Sequence, residues 1–456
     1  LLAWVACPKI IAQEIGFLSN INLQTAIRSK LSKSSAETIT KSDMNQLTTL
    51  VIKGKNIQKL NGLENCINIE SLNLWKNQIV DLSPISTLTK LTKLELGRNQ
   101  IRSIRPLSGI VLLKSLGLRE NQIDDISPLS KIIELKTLEL RINKIKSISP
   151  LAKMTKLESL NVANNQINDI SALSKLTNLK TINLSKNQIR DINPLSGLVK
   201  LEHLDIANNK ISNIEALSSL KNLNHLHTPF NQIEDINSLS GLINLETIYI
   251  GRNKIEDISA LSKLTKLKIL SLRDNHHIKN IAPIAKLFKL EELNIYNNKI
   301  EDISAIAGLT NLRILCLGKN TIKNISPISK LVNLEVLELR GNKIREISPI
   351  RNLKSLTSLN LRGNQIRNLV PLVELTNLVT LDLSYNQIDT PTVLSKLPNL
   401  KWLNLSNNNI KNPAILSRLN KLEYLDLRRN PLSKESYQKY IHQILQNNPN
   451  LKLLHD

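Results

Sequence analysis

Aromatic residues are scarce in this chain: twelve rings among 456 residues. Cysteine is scarcer still. Cys7, Cys66 and Cys316 are odd in number, far apart and without metal-ligand spacing, which argues against a disulfide framework or a structural metal site. No run of twenty apolar residues occurs, so no membrane-spanning helix is encoded. A glycine-rich phosphate loop, His-Glu-x-x-His and Gly-x-Ser-x-Gly are all missing. Fewer than thirty residues follow the strand of the last repeat, at Leu422, which leaves no space for a catalytic module. The expectation is no enzyme activity, no cofactor and no bound metal.

What the chain has in abundance is one phrase. Leu91–Ile101 reads L-x-x-L-x-L-x-x-N-x-I, and the same frame opens eighteen times, from Leu47 to Leu422. The step is 22 residues throughout, except for 23 between Leu267 and Leu290. A period of this length with this spelling marks a leucine-rich-repeat solenoid. Leu94 and Leu96, two apart on a short strand, face inward, while Lys93, Glu95 and Gly97 face out. Stacked coils set these strands side by side as one parallel sheet, about 4.8 Å apart. Asn99 sits where the chain leaves the strand, and there its amide can pair backbone groups that the ladder does not reach. Seventeen copies keep this Asn; the first has Lys55, as suits a partly solvated end coil. Ile101, Ile104, Pro106, Leu107 and Ile110 then make a compact return path, with proline recurring there from Pro84 to Pro371. The predicted fold is an α/β, curved solenoid with a parallel inner sheet and with turns and short 3-10 helices on the convex side.

A solenoid grows in one dimension, so one array replaces the several domains that this length would suggest. The predicted organisation is residues 1–46 as an N-terminal segment and helical cap, 47–432 as eighteen repeats, and 433–456 as a C-terminal helical cap. In the first cap Leu23, Ala26, Ile27 and Leu31 share a helical face, with Ser19 or Asn20 as N-cap. In the last, Tyr437, Ile441, Ile444 and Leu445 share one, followed by a short strand around Leu451–Leu454. Caps cover the sheet edges and the bare leucines of the terminal coils. The chain starts with Leu1 rather than Met, which points to a missing upstream piece. Leu1–Ala6 is open to two readings: the tail of a signal's apolar core ahead of a lipid-modified Cys7, or the first turn of a cap.

Of the eight aromatics between the caps, seven fall on strand-exposed or adjacent positions: Trp75, Phe230, Tyr249, Tyr296, Tyr385, Trp402 and Tyr424. Rings displayed on a rigid sheet supply interface hot spots at low entropic cost. The ninth repeat, LNHLHTPFNQI, puts Thr228 in place of a core Leu and Pro229 after it, which predicts an interrupted or bulged sheet. Beside it the register sets His203 next to His225 and Asp205 next to His227. Three imidazoles and a carboxylate could hold zinc, but the reading taken is partner contact. The inserted residue near Asn275-His276-His277 predicts a local loop. The formal charge of +23 divides unevenly. Strand-exposed positions carry fourteen basic and nine acidic residues, and the remaining excess is scattered, which argues for solubility and against specific nucleic-acid binding.

The INLQTAIRSKL helix, the TITKSDMNQLTTL entry and a return path near D-I-S-P-L-S-x-L-T-N-L resemble bacterial leucine-rich-repeat proteins of the internalin type. The 22-residue repeat is also similar to that of the eukaryotic regulatory subunit of protein phosphatase 1. The internalin resemblance implies a secreted or surface protein that grips a protein or peptide with its concave sheet. The sequence shows no immunoglobulin-like stretch, LPxTG-type signal or cell-wall module to imply a mode of anchoring. The function expected is therefore a protein- or peptide-binding scaffold, monomeric, with partner contacts at the seven aromatics and at His203, His225 and His227. The alternatives are an intracellular regulatory scaffold of a phosphatase-like partner, and polyanion or glycan binding driven by positive charge.

Overall fold

The computed structural model describes Leu18 and residues 20–455. Cys7, Trp4, Phe17, Ser19 and the side chain of Tyr437 lie outside the described part. The chain forms two compact units, residues 1–223 and 224–456. The first holds eight three-residue strands, Thr49–Val51 to His203–Asp205, and the second holds eleven, His225–His227 to Lys452–Leu454. Within each unit consecutive strands pair in parallel, with Leu72 beside Leu94 in the first and Ile248 beside Leu270 in the second. Both units are leucine-rich-repeat solenoids, the fold class that the period predicts.

Each coil closes on its own aliphatic side chains. Leu91, Leu94, Leu96, Ile101, Ile104, Leu107 and Ile110 are all buried. The return path is a short 3-10 helix, such as Ser83–Ile85 or Arg105–Gly109, with proline in its first turn. A first-turn N–H has no partner inside the helix, so proline sacrifices nothing there.

The asparagines bolt coil to coil. Asn99 Oδ1 accepts from the Ile79 N–H of the preceding coil at 3.0 Å. Its Nδ2 donates to Leu74 O of that coil at 3.1 Å and to Leu96 O of its own at 2.8 Å. The same three contacts recur at Asn187 and at Asn342. The residue before this Asn, eighth in the frame, has a left-handed backbone in all eighteen repeats, with φ between 51° and 66°. Only Gly54, Gly341 and Gly363 are glycines; the others include Ile142, Phe230 and Tyr385. The left-handed turn sends the Asn side chain inward and lets the eighth N–H reach the next coil, as Arg98 N does to Arg119 O at 2.8 Å. That bonding outweighs the steric cost of about 1–2 kcal/mol at each non-glycine position.

Four details depart from, or sharpen, the sequence reading. Pro229 does not break the sheet on the side of the following strand: His225–His227 pairs with Thr247–Tyr249, and Thr228 N and Phe230 N reach Tyr249 O and Gly251 O at 2.8 and 3.1 Å. The reason is positional. Past the strand the bonds to the next coil come from the sixth and eighth N–H groups, whereas the seventh N–H is bonded by the side chain of the fifth residue, as Gly97 N is by Glu95 at 2.8 Å. Proline at the seventh place therefore removes no ladder bond. Leu445, expected on the buried face of helix α3 (Lys434–Asn447), is 41 % exposed while Ile441 and Ile444 are buried. One residue beyond Ile444 is about 100° round the helix; Asn448 takes the buried place and donates to Leu419 O at 2.7 Å. The 23-residue coil does loop locally, with a second left-handed residue at His276, and it leaves the buried Oδ1 of Asn298 without a donor among the described residues.

The fourth detail lies near the start. Helix α1 (Ile21–Leu31) is capped by Asn20, which accepts from Leu23 N, and it buries Leu23 and Ile27. A second helix, α2 (Lys41–Asn45), opens with a Thr40/Asp43 capping box. Hydrogen bonds from the Lys33 ammonium and the Thr40 N–H lower the Asp43 carboxyl from 3.8 to about 2. A depressed folded-state value means stability that is full above pH 3.8 and lost as pH falls through 2. Amide exchange in α2, corrected for intrinsic rates, is expected to quicken over that window in the wild type and to lose this pH dependence in Asp43→Asn.

Candidate binding face

The outward side chains of each unit fall into four columns: the third and fifth places of the frame on the strand, and the seventh and eighth at the turn. The fifth column consists largely of Asn, Asp and Glu, and it works for the fold. Asn73, Glu139, Glu338 and Asp382 each accept from the N–H two residues on, at 2.9–3.1 Å. Burial raises the carboxyls of Glu139 and Glu338, against the pull of Arg141 and Arg340 respectively.

Charge is segregated between the columns. In the first unit the seventh and eighth places hold six basic residues and one acidic, and the third and fifth hold one basic and three acidic. In the second unit the counts are seven and one, against none and four. The modest net charge of the face thus conceals a positive stripe beside a negative one. An ion-pair ladder runs along the second place, with Lys136–Glu158 at 3.2 Å, Lys268–Glu246 at 2.8 Å and Arg313–Glu335 at 2.8 Å. A hollow of about 480 Å³ on that ladder is lined by Lys268, Glu291, Arg313 and Glu335, where opposite charges already offset one another.

Arginines of the positive stripe lie over the aromatic rings. In the first unit Trp75 meets both Arg98 and Arg119, with guanidinium carbons 5.5 and 5.6 Å from the ring. Gly97 makes room for it: a Cβ there would stand 3.1 Å from Trp75 Cδ1. The second unit repeats this device with Tyr296, Gly318 and Arg340. The Arg340 guanidinium is 4.8 Å from the Tyr296 ring and donates to its hydroxyl, and a Cβ on Gly318 would stand 2.9 Å from the ring. Phe230 carries Arg252 at 4.4 Å, and Asp274 holds Arg252 and Arg273 at 3.1 Å each. Tyr385 carries Arg362 at 4.5 Å. Trp402 and Tyr424 stack on each other at 5.0 Å and 5°. Such contacts fix long cationic chains at about 0.5–1 kcal/mol each on exposed surface.

The sequence-predicted residues thus fall into several places. Trp75 and His203 belong to the first unit, where Asp205 accepts from Ala207 N at 3.0 Å. His225, His227, Phe230, Tyr249, Tyr296, Tyr385, Trp402 and Tyr424 belong to the second. There His227 meets Tyr249 edge-on at 5.4 Å, and His225 Nδ1 is 2.7 Å from Asn224 Oδ1. Burial, and then Glu292, raises the Tyr249 phenol; burial, and then Asp426, raises that of Tyr424. Among the described residues no three His, Cys, Asp or Glu side chains are placed to hold a metal ion. Cys66 and Cys316 are free, their thiols pushed up by burial to about 12 and about 11. The sequence reading missed the arginines that accompany the rings, and the ring–Gly–Arg spacing of 22 and 22 was the signal available.

Comparison with known proteins agrees with this construction. Residues 289–456 match the family described as Leucine-rich repeat region, and seven stretches between residues 67 and 308 match Leucine Rich repeats (2 copies). The curated proteins contain no match. Among solved structures, an internalin (inlF) from Listeria monocytogenes is 32% identical, with a TM-score of 0.58, covering 81% of this chain and 96% of that one. A leucine-rich-repeat protein of Leptospira interrogans is 22% identical, with a TM-score of 0.65 and coverage of 91% and 97%. The plant peptide hormone receptor RGFR1, in complex with RGF2, is 22% identical, with a TM-score of 0.72 and coverage of 90% and 75%. The first of these shares sequence as well as fold, and the chain belongs to the internalin family of leucine-rich-repeat proteins.

Proposed function

We propose that the chain is a binding protein, not an enzyme, and that it holds a protein or peptide against the outward face of its sheet. The observation that carries this reading is the preparation of the rings. Trp75, Phe230, Tyr296 and Tyr385 are each stacked with arginine before any partner arrives, so little side-chain freedom remains to be lost on binding. Phe230 and Tyr385, 45 % and 43 % exposed, offer contact area directly. Kinship with an internalin supports a secreted or cell-surface setting, and no helix among the described residues is long and apolar enough to cross a membrane. The same fold was solved with the peptide hormone IDA on the receptor kinase HAESA, which supports a peptide as one kind of partner.

The test is capture of partners at low and at high salt by the wild type and by Phe230→Ala/Tyr249→Ala, both verified as folded by circular dichroism. A discrete protein retained by the wild type at both salts and lost by the variant is the expected result. Equal capture by both proteins, vanishing at high salt, would transfer the binding to charge alone.

A further inference from the structure

Five acidic residues stand on the outward strand and turn places of the second unit: Asp274, Glu292, Glu338, Asp382 and Asp426. Four of them are committed within the fold. Asp274 holds Arg252 and Arg273 at 3.1 Å each. Glu338 and Asp382 accept from the Arg340 and Ser384 N–H groups at 2.9 Å, and Asp426 takes Arg428 Nη2 at 2.7 Å. The carboxylate of Glu292 makes no hydrogen bond or ion pair among the described residues. It stands half-buried at the third place of the frame, on strand Glu292–Asn294.

The cross-strand neighbours of Glu292 supply no countercharge. The parallel register sets Ile269 beside it on one strand and Ile314 on the other, with Val336 next beyond, and all three are half-buried. Its charge reaches the face around it. After burial, Glu292 raises the Tyr249 phenol; after burial and Glu338, it raises the Cys316 thiol. A carboxylate set in an aliphatic bed is complementary to a cation on an aliphatic stem, because the stem covers apolar surface while the head meets the charge. Lysine fits this bed better than arginine, since a compact ammonium ends its four-carbon stem, whereas the planar guanidinium is matched by rings and paired acceptors. Ile269 to Val336 covers three strand spacings, about 14 Å at 4.8 Å each. In an extended chain, residues two apart share a side and stand about 7 Å apart, so an apolar-x-Lys-x-apolar segment covers the same span.

We propose that Glu292, bedded among Ile269, Ile314 and Val336, is the subsite for a lysine of the bound protein or peptide, carried on an extended segment with apolar residues two places before and after it. The ammonium pairs with Glu292, while the stem and the flanking apolar side chains lie on the aliphatic bed. In this unit the third and fifth columns hold no basic residue and the turn columns hold seven, so a lysine is attracted to the strands and repelled at the turn. The inference rests on the binding reading above and specifies the partner's chemistry at one point of the face.

The probe is a fluorescein-labelled Ser-Leu-Ser-Lys-Ser-Leu-Ser peptide, followed by anisotropy against the whole chain, beside the same peptide with norleucine in place of lysine. Norleucine keeps the stem and removes the ammonium. Saturable binding of the lysine peptide is expected, with the norleucine peptide about tenfold weaker. Glu292→Gln should abolish that difference, weakening the lysine peptide about tenfold and leaving the norleucine peptide unchanged, with circular dichroism as in the wild type. No saturable binding, equal binding of both peptides by the wild type, or a lysine preference that survives Glu292→Gln overturns the proposal. Capture of a discrete protein that fails in Phe230→Ala/Tyr249→Ala but is undiminished in Glu292→Gln would leave the proposed function standing and remove only the lysine subsite.

Discussion

Asn342→Ala is expected to destabilise the second unit by about 3 kcal/mol, a large effect for an amide that touches no partner. The substitution deletes three bonds: Ile322 N to Oδ1 at 3.1 Å, and Nδ2 to Leu317 O and Leu339 O at 3.1 and 2.9 Å. The three groups left behind are not equally harmed. Leu317 O still receives Asn320 Nδ2 at 2.9 Å, and Leu339 O still receives Asn364 Nδ2 at 3.1 Å. Only the Ile322 N–H is orphaned, and the desolvation cost of that single donor, about 1–3 kcal/mol, dominates. Asn342→Asp sharpens the test. A carboxylate keeps the acceptor for Ile322 but sets its second oxygen against two carbonyls, so at neutral pH the loss should equal or exceed that of alanine. Facing carbonyls in a buried site raises such a carboxyl above its unfolded value, so the defect should lessen as pH falls and the proton returns a donor. Urea unfolding followed by circular dichroism measures both variants. An Asn342→Ala chain within about 0.5 kcal/mol of wild type would remove the asparagine ladder from the account of stability.

That ladder was legible in the sequence because it is periodic. A residue recurring every 22 positions at the end of a strand has a job tied to stacking, and an amide is the side chain that can both give and take there. The aliphatic core was legible for the same reason, down to the lone Thr228, which is buried with its hydroxyl accepting from Asn231 at 3.4 Å. What was hidden depended on direction rather than identity. Counting Glu95, Glu139 and Glu338 as outward-facing overlooked that each bends back to a backbone N–H two residues on. Summing charge over the face gave a small excess, whereas the left-handed eighth residue separates the turn columns from the strand columns and sorts positive from negative. Pro229 was misjudged because the strand pattern does not announce which N–H groups the ladder uses. The aromatic positions were visible one by one; their pairing with arginines one or two coils away required the register to be fixed first.

Tyr385→Gly is expected to weaken partner binding at least tenfold while leaving the fold within about 1 kcal/mol of wild-type stability in either direction. The reasoning begins at the backbone. Tyr385 holds φ 55°, and releasing a non-glycine residue from that region recovers about 1–2 kcal/mol. Glycine returns about 0.5–1 kcal/mol of this through its freer unfolded chain, and the lost stacking with Arg362 removes a further amount of about 0.5–1 kcal/mol. Tyr385→Ala loses the stacking and keeps the left-handed strain, so it should be the less stable of the two, though the smaller chemical change by size. Ile142→Gly provides the reference in the first unit: its φ is 57° and it stacks on no ring, so most of the relief should appear as added stability. Binding is then lost with stability little changed at one residue, which a purely structural role for Tyr385 could not produce. Thermal unfolding and the capture assay, run on the same preparations, decide the matter. If Tyr385→Gly binds as tightly as wild type, the ring is surface decoration and the anchor moves elsewhere on the face. If it unfolds markedly earlier than Tyr385→Ala, the left-handed turn is not the source of strain and the exposed ring is retained for the fold rather than for a partner.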